Sequence, residues 1–228
     1  MNYRTLRAPA AEFVGTMLFV LVGAGSIVAN VNGAGGSLGI ALAHGVGLAI
    51  LVTIMMPISG GHLNPAVSVA LWIGDQIDVK TLGKYVAAQL LGAIVAALLI
   101  KVLFPASLAR ITSLGTPQMS GAMGMGAGIA LEALFTFFLV SAVFGTVVNP
   151  EAQRVGGFAV GLTVLVVALG GGNLTGAVMN PARAFGPALV SGDWHTQAAY
   201  WVGPLIGAAL AALMWKFVFL PRSATDLR

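Results

Sequence analysis

The chain has 228 residues, of which 58% are hydrophobic and 8% are charged, and its mean hydropathy is +0.95. A soluble domain would carry roughly a quarter charged residues, so we expect lipid rather than water around most of this surface. The formal net charge of +4 does not indicate nucleic-acid binding, because the 11 basic residues are scattered at the ends of apolar segments. The absence of cysteine excludes disulfides, cysteine-ligated zinc and thiol catalysis.

Six segments are apolar enough, over about 20 residues, to cross the hydrocarbon core as helices. In chain order they cover about 8–30, 39–58, 82–104, 123–148, 156–172 and 195–220. The first is too long for a cleavable signal peptide, so we expect it in the mature protein. Two shorter apolar stretches of about 10 residues begin at Asn64 and Asn180 and reach only about half way through the core. They are predicted to be re-entrant half-helices.

The chain repeats itself after about 115–120 residues. Residues 59–70 (SGGHLNPAVSVA) match 175–186 (TGAVMNPARAFG), Glu12 matches Glu132, and Tyr85 matches Tyr200. The repeats cover about 8–104 and 123–220, and each holds three spans, so the second must be inverted relative to the first. This pattern predicts one channel domain over 1–228, with its site at the midplane between the repeats.

The basic residues predict an orientation in the membrane. If both termini lie on one side, the loops on the other side, about 31–38, 105–122 and 191–195, contribute only Arg110. The terminal side then holds Arg4, Arg7, Lys80, Lys84, Arg154, Arg222 and Arg228. We therefore expect an integral multi-pass protein with both termini in the cytoplasm. No targeting code is evident, and the short termini favour a prokaryotic inner (plasma) membrane.

Two Asn-Pro-Ala motifs open the half-helices, and they are Asn64, Pro65, Ala66 and Asn180, Pro181, Ala182. One such motif would indicate only an ordinary helix start, since Asn is a good N-cap and Pro suits the first turn. Two motifs at equivalent positions of an inverted repeat bring two positive helix ends, each about +0.5 charge, to one point. Amide donors there would orient a passing water, interrupt a proton wire and form a barrier to cations.

Paired Asn-Pro-Ala motifs on an inverted three-plus-three repeat resemble the aquaporin, or major intrinsic protein, family over essentially the whole chain. The resemblance implies an all-α membrane protein, a right-handed bundle of six transmembrane helices plus two re-entrant half-helices. It also implies a homotetramer with one pore in each subunit. Carried over by spacing from the motifs, the family's selectivity filter falls on His44, Ala168, Ala177 and Arg183.

This filter differs from that of strict water channels, which resembles Phe, His, a small polar residue and Arg. Its two alanines are expected to widen the pore, and its pattern is similar to the tonoplast-type plant channels and the ammonia-permeable animal members. We expect a passive channel for water and for ammonia, hydrogen peroxide and urea that excludes protons and ions. A glycerol or polyol facilitator is an alternative, although Ala184 and Ala188 replace the Asp and basic residue that such channels carry. A proton-coupled transporter of small solutes is a more distant alternative.

The segments before each asparagine are expected to be extended and to turn backbone carbonyls toward the lumen, namely those of Gly60, Gly61, His62, Gly176, Ala177 and Val178. Glu12 and Glu132 lie inside spans, where an unpaired carboxylate is costly. A proton relay is one interpretation of them, and acceptance of backbone hydrogen bonds from the re-entrant loops is the favoured one. Gly45 and Gly161 resemble the family's helix-crossing glycines.

No cofactor, metal site or nucleic-acid partner is expected. An intramembrane enzyme is disfavoured, because the sequence offers no His pair at metal spacing, and the two glutamates belong to separate repeats. The expected partners are water, small neutral solutes and the lipid bilayer.

Overall fold

Nine α-helices form the computed structural model, which describes residues 3–33 and 35–221. They are α1 (Tyr3–Ala29), α2 (Gly36–Ser59), α3 (Pro65–Ile73), α4 (Val79–Leu103), α5 (Ala106–Ile111), α6 (Met125–Val143), α7 (Phe158–Thr175), α8 (Pro181–Ser191) and α9 (Gln197–Met214). These residues contain no β-strand, and the predicted all-α membrane class is confirmed. Arg222 and Arg228, on which the predicted orientation partly rests, lie outside the described residues, as does the side chain of Arg4.

Six stretches are long and apolar enough to cross a bilayer, and their ends fall within a few residues of those expected from the sequence. They are Leu6–Asn32, Gly36–Ser59, Val79–Leu103, Met125–Val148, Phe158–Thr175 and Gln197–Phe219. An even number of spans brings both ends of the described chain out on one side. We call that side the terminal face and the other side the opposite face.

The half-helices α3 and α8 contain 9 and 11 residues. At 1.5 Å per residue they are about 14 and 16 Å long, so that together they match the hydrocarbon core of about 30 Å. Since α2 ends and α4 begins at the terminal face, α3 runs from the middle of the bundle toward that face. By the same reasoning α8 runs toward the opposite face.

The helix packing follows the sequence repeat. In the first repeat α1 packs against α2 and α4, and in the second α6 packs against α7 and α9. The repeats meet along α2 and α7, and each half-helix lies mainly against the last span of the other repeat, α3 on α9 and α8 on α4. This exchange places the starts of both half-helices in the centre of one bundle.

Two glycines set the crossing of α2 and α7. A Cβ at Gly45 would lie 2.5 Å from the Cβ of Leu165, and one at Gly161 would lie 2.5 Å from the Cβ of Ala49. Any other residue at either position would force the helices apart. The crossing matters for the site because His44 precedes Gly45 directly.

The connection between α4 and α6 contains structure that was expected only as a loop. It holds the short helix α5 and a 3₁₀ turn, Ser113–Gly115, whose Leu114 and Gly115 are buried. The turn packs against α1 and α8. It therefore reaches into the mouth of the bundle.

Candidate functional site

The starts of α3 and α8 are joined by reciprocal hydrogen bonds. Asn64 Nδ2 donates to the carbonyl of Met179 at 2.8 Å, and Asn180 Nδ2 donates to the carbonyl of Leu63 at 2.9 Å. Each asparagine thus binds the residue that directly precedes the other asparagine. The two Asn-Pro-Ala motifs, far apart in sequence, lie side by side.

Each asparagine also caps its own half-helix, with the motif proline at the first helical position. Asn64 Oδ1 accepts from Ala66 N at 2.8 Å, and Asn180 Oδ1 accepts from Ala182 N at 3.1 Å. Because the cap fixes the oxygen, the orientation of the amide nitrogen is also fixed. A carboxamide nitrogen has two N–H donors, so one remains on each asparagine after the reciprocal bond.

Two cavities follow the axis of the bundle from its two faces. One, of about 320 Å³, extends from Gln76 and Val148 near the terminal face to Asn64 and Asn180. The other, of about 410 Å³, extends inward from Asp193 near the opposite face. Both cavities touch His44 and Ala177, so the neck between them lies at these two residues, on the opposite-face side of the asparagines.

At the neck, His44 has a defined tautomer. Its Nδ1 lies 2.9 Å from the carbonyl oxygen of Ile40, which can only accept, so Nδ1 carries the hydrogen. In the neutral ring Nε2 is then an acceptor, and it lies 3.5 Å from a terminal nitrogen of Arg183. Gly23 makes room for the ring, since a Cβ there would lie 2.7 Å from Cδ2 and Nε2 of His44.

Arg183 stands in the first turn of α8 and is 3% exposed. Its Nη1 donates to the carbonyl of Gly115 at 3.0 Å, which anchors the guanidinium to the turn after α5. The guanidinium carries five N–H donors, so several stay free of partners among the described residues and can face the lumen. Sequence reasoning missed Gly115, because only the path of the long loop brings its carbonyl to this place.

The two alanines of the expected filter occupy different levels. Ala177 lines both cavities, whereas Ala168 lines only the cavity on the opposite-face side. The structure therefore brings His44, Ala177 and Arg183 together at the neck and puts Ala168 beside it on α7. Neither alanine extends beyond a methyl group into the passage.

The segments before the asparagines are not the extended strands expected from the sequence. Gly60, Gly61 and Leu63 have φ values of +91°, +62° and +50°, and Gly176, Ala177 and Met179 have +88°, +47° and +52°. Left-handed residues thus recur at equivalent positions of the two repeats. The physical reason is that the chain must leave a helix and turn back to the midplane within four residues.

Six carbonyls along these segments accept no hydrogen bond from the described residues. They belong to the residues singled out in the sequence, Gly60, Gly61, His62, Gly176, Ala177 and Val178, each of which lines one or both cavities. Buried backbone carbonyls normally have partners. A row without protein partners beside a passage is suited to binding water.

Two buried glutamates hold the segments in place. Glu12 accepts from the backbone N–H groups of His62 and Leu63 at 2.9 and 2.7 Å. Glu132 accepts from those of Val178 and Met179 at 2.9 and 2.8 Å. Neither glutamate lines a cavity. These contacts favour the structural interpretation over a proton relay.

The first repeat adds a polar network that sequence reasoning missed. Gln89 Nε2 donates to Glu12 at 2.8 Å and to Ser68 Oγ at 2.9 Å, and Ser68 Oγ lies 3.0 Å from His62 Nδ1. Apolar residues stand at the positions of the second repeat that are equivalent to Gln89, Ser68 and His62. The network fixes the His62 ring in the wall of the terminal-face cavity.

Comparison with known proteins agrees with this architecture. Residues 1–215 match the family model described as Major intrinsic protein. The chain belongs to the major intrinsic protein family. It is 42% identical over 241 residues to Aquaporin TIP4-4 of Zea mays, covering 97% of this chain and 93% of that one. It is 41% identical over 231 residues to Aquaporin TIP2-1 of Arabidopsis thaliana, covering 96% and 90%.

A solved structure supports the same fold. The X-ray structure of the aquaglyceroporin from Plasmodium falciparum superposes with a TM-score of 0.83 at 24% sequence identity and covers 98% of this chain and 99% of that chain. At this identity the similarity establishes the fold alone. The six-helix bundle with two half-helices expected from the sequence is confirmed.

The expected prokaryotic plasma membrane is wrong. The relatives named above are plant aquaporins of the TIP, or tonoplast, type. The expectation rested on short termini, and these carry no physical information about the membrane, because six apolar spans satisfy any bilayer of ordinary thickness.

Proposed function

We propose that this chain forms a passive channel for water and that its pore also admits ammonia, hydrogen peroxide and urea. The proposal rests above all on the reciprocal pair of Asn64 and Asn180 beside a passage that opens toward both faces. Two fixed amide donors suit a water oxygen at this point, and the carbonyls on either side supply acceptors along the path. The two plant relatives described above are named aquaporins, which supports the same assignment.

Exclusion of ions and protons follows from the charges around the neck. Two helix ends contribute about +0.5 charge each, and Arg183 adds a full positive charge that forms no salt bridge with any carboxylate of the described residues. A water whose oxygen accepts from both asparagines turns its hydrogens outward, which interrupts proton transfer along the column. We infer that cations are repelled at the same neck that neutral solutes pass.

The solute range follows from the width of the neck. Ala168 and Ala177 contribute only methyl groups, so the long side chains among the four filter residues are those of His44 and Arg183. Nε2 of His44 and the free N–H groups of Arg183 offer an acceptor and donors to small polar solutes. Neutral molecules somewhat larger than water therefore fit the proposal.

Stopped-flow measurements on proteoliposomes test the proposal. We expect rapid water flux with a low activation energy, together with ammonia, peroxide and urea flux above that of empty liposomes. Ala168→Phe should reduce urea and peroxide flux roughly tenfold, which corresponds to a barrier higher by about 1.4 kcal/mol. Leu169→Phe is the matched control, because this adjacent side chain on α7 is 51% exposed and points away from the pore.

Water flux with no flux of the other solutes would refute the broader range and leave the water channel intact. Glycerol flux as rapid as that of urea would favour a polyol facilitator. Proton-driven accumulation of any solute would refute a passive channel.

We also propose a homotetramer with a pore in each subunit. An exposed apolar stripe runs along α2 at intervals of four residues and comprises Leu38, Leu42, Val46, Ile50 and Ile54. The stripe is not packed within the subunit, so it is available to another copy or to lipid, and a charge placed on it distinguishes the two. A charge on the stripe, as in Leu42→Lys, should therefore shift the protein toward monomer in native mass spectrometry, whereas Val102→Lys at the exposed end of α4 should not. Native mass spectrometry of a monomer would refute the tetramer.

A further inference from the structure

A third cavity lies apart from the pore, on the opposite face. It has a volume of about 320 Å³ and lies between the end of α4, the helix α5 and the end of α8. Lys101 and Arg110 line it together with the hydroxyl-bearing Ser113 and Ser191, and Leu114 and Val190 contribute apolar surface. Nothing in the transport of neutral solutes requires two cations at this place.

The two cations are unpaired within the described part of the chain. Neither Lys101 nor Arg110 forms an ion pair or a side-chain hydrogen bond there. Both stand in the last turn of a helix, where the helix dipole favours a cation. Yet neither donates to a terminal carbonyl, so capping does not explain why they converge on one cavity.

The distribution of charge over the two faces sets Lys101 and Arg110 apart from the other basic residues. Apart from Arg183, which is buried in the neck, the remaining lysines and arginines of the described chain, other than Lys101 and Arg110, lie in the terminal-face loops or near the terminal-face ends of spans. Lys101 and Arg110 are therefore the two exposed cations assigned to the opposite face, and both line the same cavity. A solvated, scattered surface charge would not produce this arrangement.

The surroundings of the cavity are those of a membrane surface. Val102 and Leu103 at the end of α4 are 77% and 68% exposed, and Ile111 at the end of α5 is 68% exposed. These apolar side chains suit acyl chains, and Lys101 and Arg110 suit the phosphate above them. On the cytoplasmic side of membranes, basic pockets between transmembrane helices bind anionic headgroups, and the same pairing of cations with a phosphate applies at this face.

We propose that this cavity binds the headgroup phosphate of an anionic glycerophospholipid at the opposite face of the membrane. Lys101 and Arg110 contact the phosphate oxygens, with Arg110 able to use two parallel N–H groups. Ser113 and Ser191 line the polar side of the same cavity. A dissolved phosphate would use the same cations but would leave Val102, Leu103 and Ile111 exposed.

Native mass spectrometry and thermal unfolding of the purified protein test this site. With limiting phosphatidylglycerol and excess phosphatidylcholine, we expect one phosphatidylglycerol to be retained per chain and to raise the unfolding temperature. Each cation near an anionic lipid contributes about 1 kcal/mol, so Lys101→Gln/Arg110→Gln should weaken retention by about 30-fold. Lys80→Gln/Lys84→Gln removes two exposed cations from the other end of α4 and should leave retention unchanged.

Three outcomes would overturn the proposal. They are equal retention of phosphatidylcholine by the wild type, an equal loss in the Lys80→Gln/Lys84→Gln control, and displacement of the lipid by excess inorganic phosphate with the same stabilisation. The last would indicate a site for a soluble anion. Should the double variant not fold, Arg110→Gln alone and the wild-type competition decide the question. Water flux of the variants in phosphatidylcholine liposomes verifies that their pores are intact.

Discussion

The close crossing of α2 and α7 gives the sharpest test of the packing. In Gly161→Ala the new methyl group would lie 2.5 Å from the Cβ of Ala49 and 2.6 Å from its backbone nitrogen. Nonbonded carbon atoms prefer about 3.5–4.0 Å, so the two helices must separate by about 1 Å. Overpacking of this kind costs about 1–3 kcal/mol. We therefore expect a lower unfolding temperature.

A second glycine on α7 provides a control of opposite sign. A Cβ at Gly170 would meet nothing within 4 Å, and alanine is a better helix former than glycine by about 1 kcal/mol. Gly170→Ala should therefore keep or raise the unfolding temperature. Tryptophan fluorescence during heating in detergent measures both variants, since the chain has four tryptophans. The reasoning is refuted if Gly161→Ala unfolds at the wild-type temperature or above it.

Three further predictions concern single side chains. Glu132→Gln should lower the unfolding temperature without making the channel permeable to protons. The amide nitrogen cannot accept a hydrogen bond, so an N–H of Val178 or Met179 would lose its partner at a cost of about 1–3 kcal/mol. Thermal unfolding and a proton-flux assay measure these effects. Ala177→Cys should make water flux sensitive to mercury, since the residue lines both cavities of a cysteine-free chain; stopped-flow measures this. Asp193→Asn should flatten the loss of stability at acid pH. Desolvation raises the pKa of this carboxyl, but its hydrogen bonds outweigh that effect and lower the pKa below its usual range. The carboxylate therefore stabilises the fold above about pH 4, and this stabilisation is lost as the pH falls through the lowered pKa. Unfolding temperatures across pH 3–6 measure this.

Each of these has an outcome that contradicts it. A Glu132→Gln protein of wild-type stability that leaks protons would return the glutamate to a transport role. Water flux through Ala177→Cys that mercury leaves unchanged would mean that this side chain does not face the passage. If the unfolding temperatures of Asp193→Asn and the wild type fell equally at acid pH, the carboxylate would contribute no stability near the opposite face.

The fold was predictable because the strongest constraints on it act locally. Uninterrupted apolar segments give the spans, and a length of about half the core identifies α3 and α8 as half-helices. The match of 59–70 with 175–186 shows the repeat, and the three spans in each repeat require its inversion. Gly45 and Gly161 stood out because they occur at equivalent positions of the repeat. Gly92 and Gly207 are equivalent in the same way, 115 residues apart, and form the corresponding close contacts of α1 with α4 and of α6 with α9, but the sequence analysis did not single them out.

The site was predictable only in part, because some of its geometry depends on long connections. The spacing of the motifs brought attention to His44 and Arg183, but nothing near Gly115 in the sequence indicates that its carbonyl reaches the guanidinium. The left-handed residues before each asparagine were also unforeseen, since Leu63 and Met179 do not favour that conformation in isolation. Tertiary contacts with the glutamates stabilise it.

The reciprocal hydrogen bonds of the Asn64 and Asn180 side-chain amides bear on how the chain assembles. During synthesis Asn64 enters the membrane well before Met179 has been made, so its donor has no acceptor until most of the second repeat is inserted. A buried donor without a partner costs about 1–3 kcal/mol, which disfavours a finished conformation of the first half on its own. Completion of the lumen is therefore a late event in biogenesis. For the same reason, neither half can change its asparagine in evolution without consequences for the other, whereas any residue before the asparagine supplies the accepting backbone carbonyl.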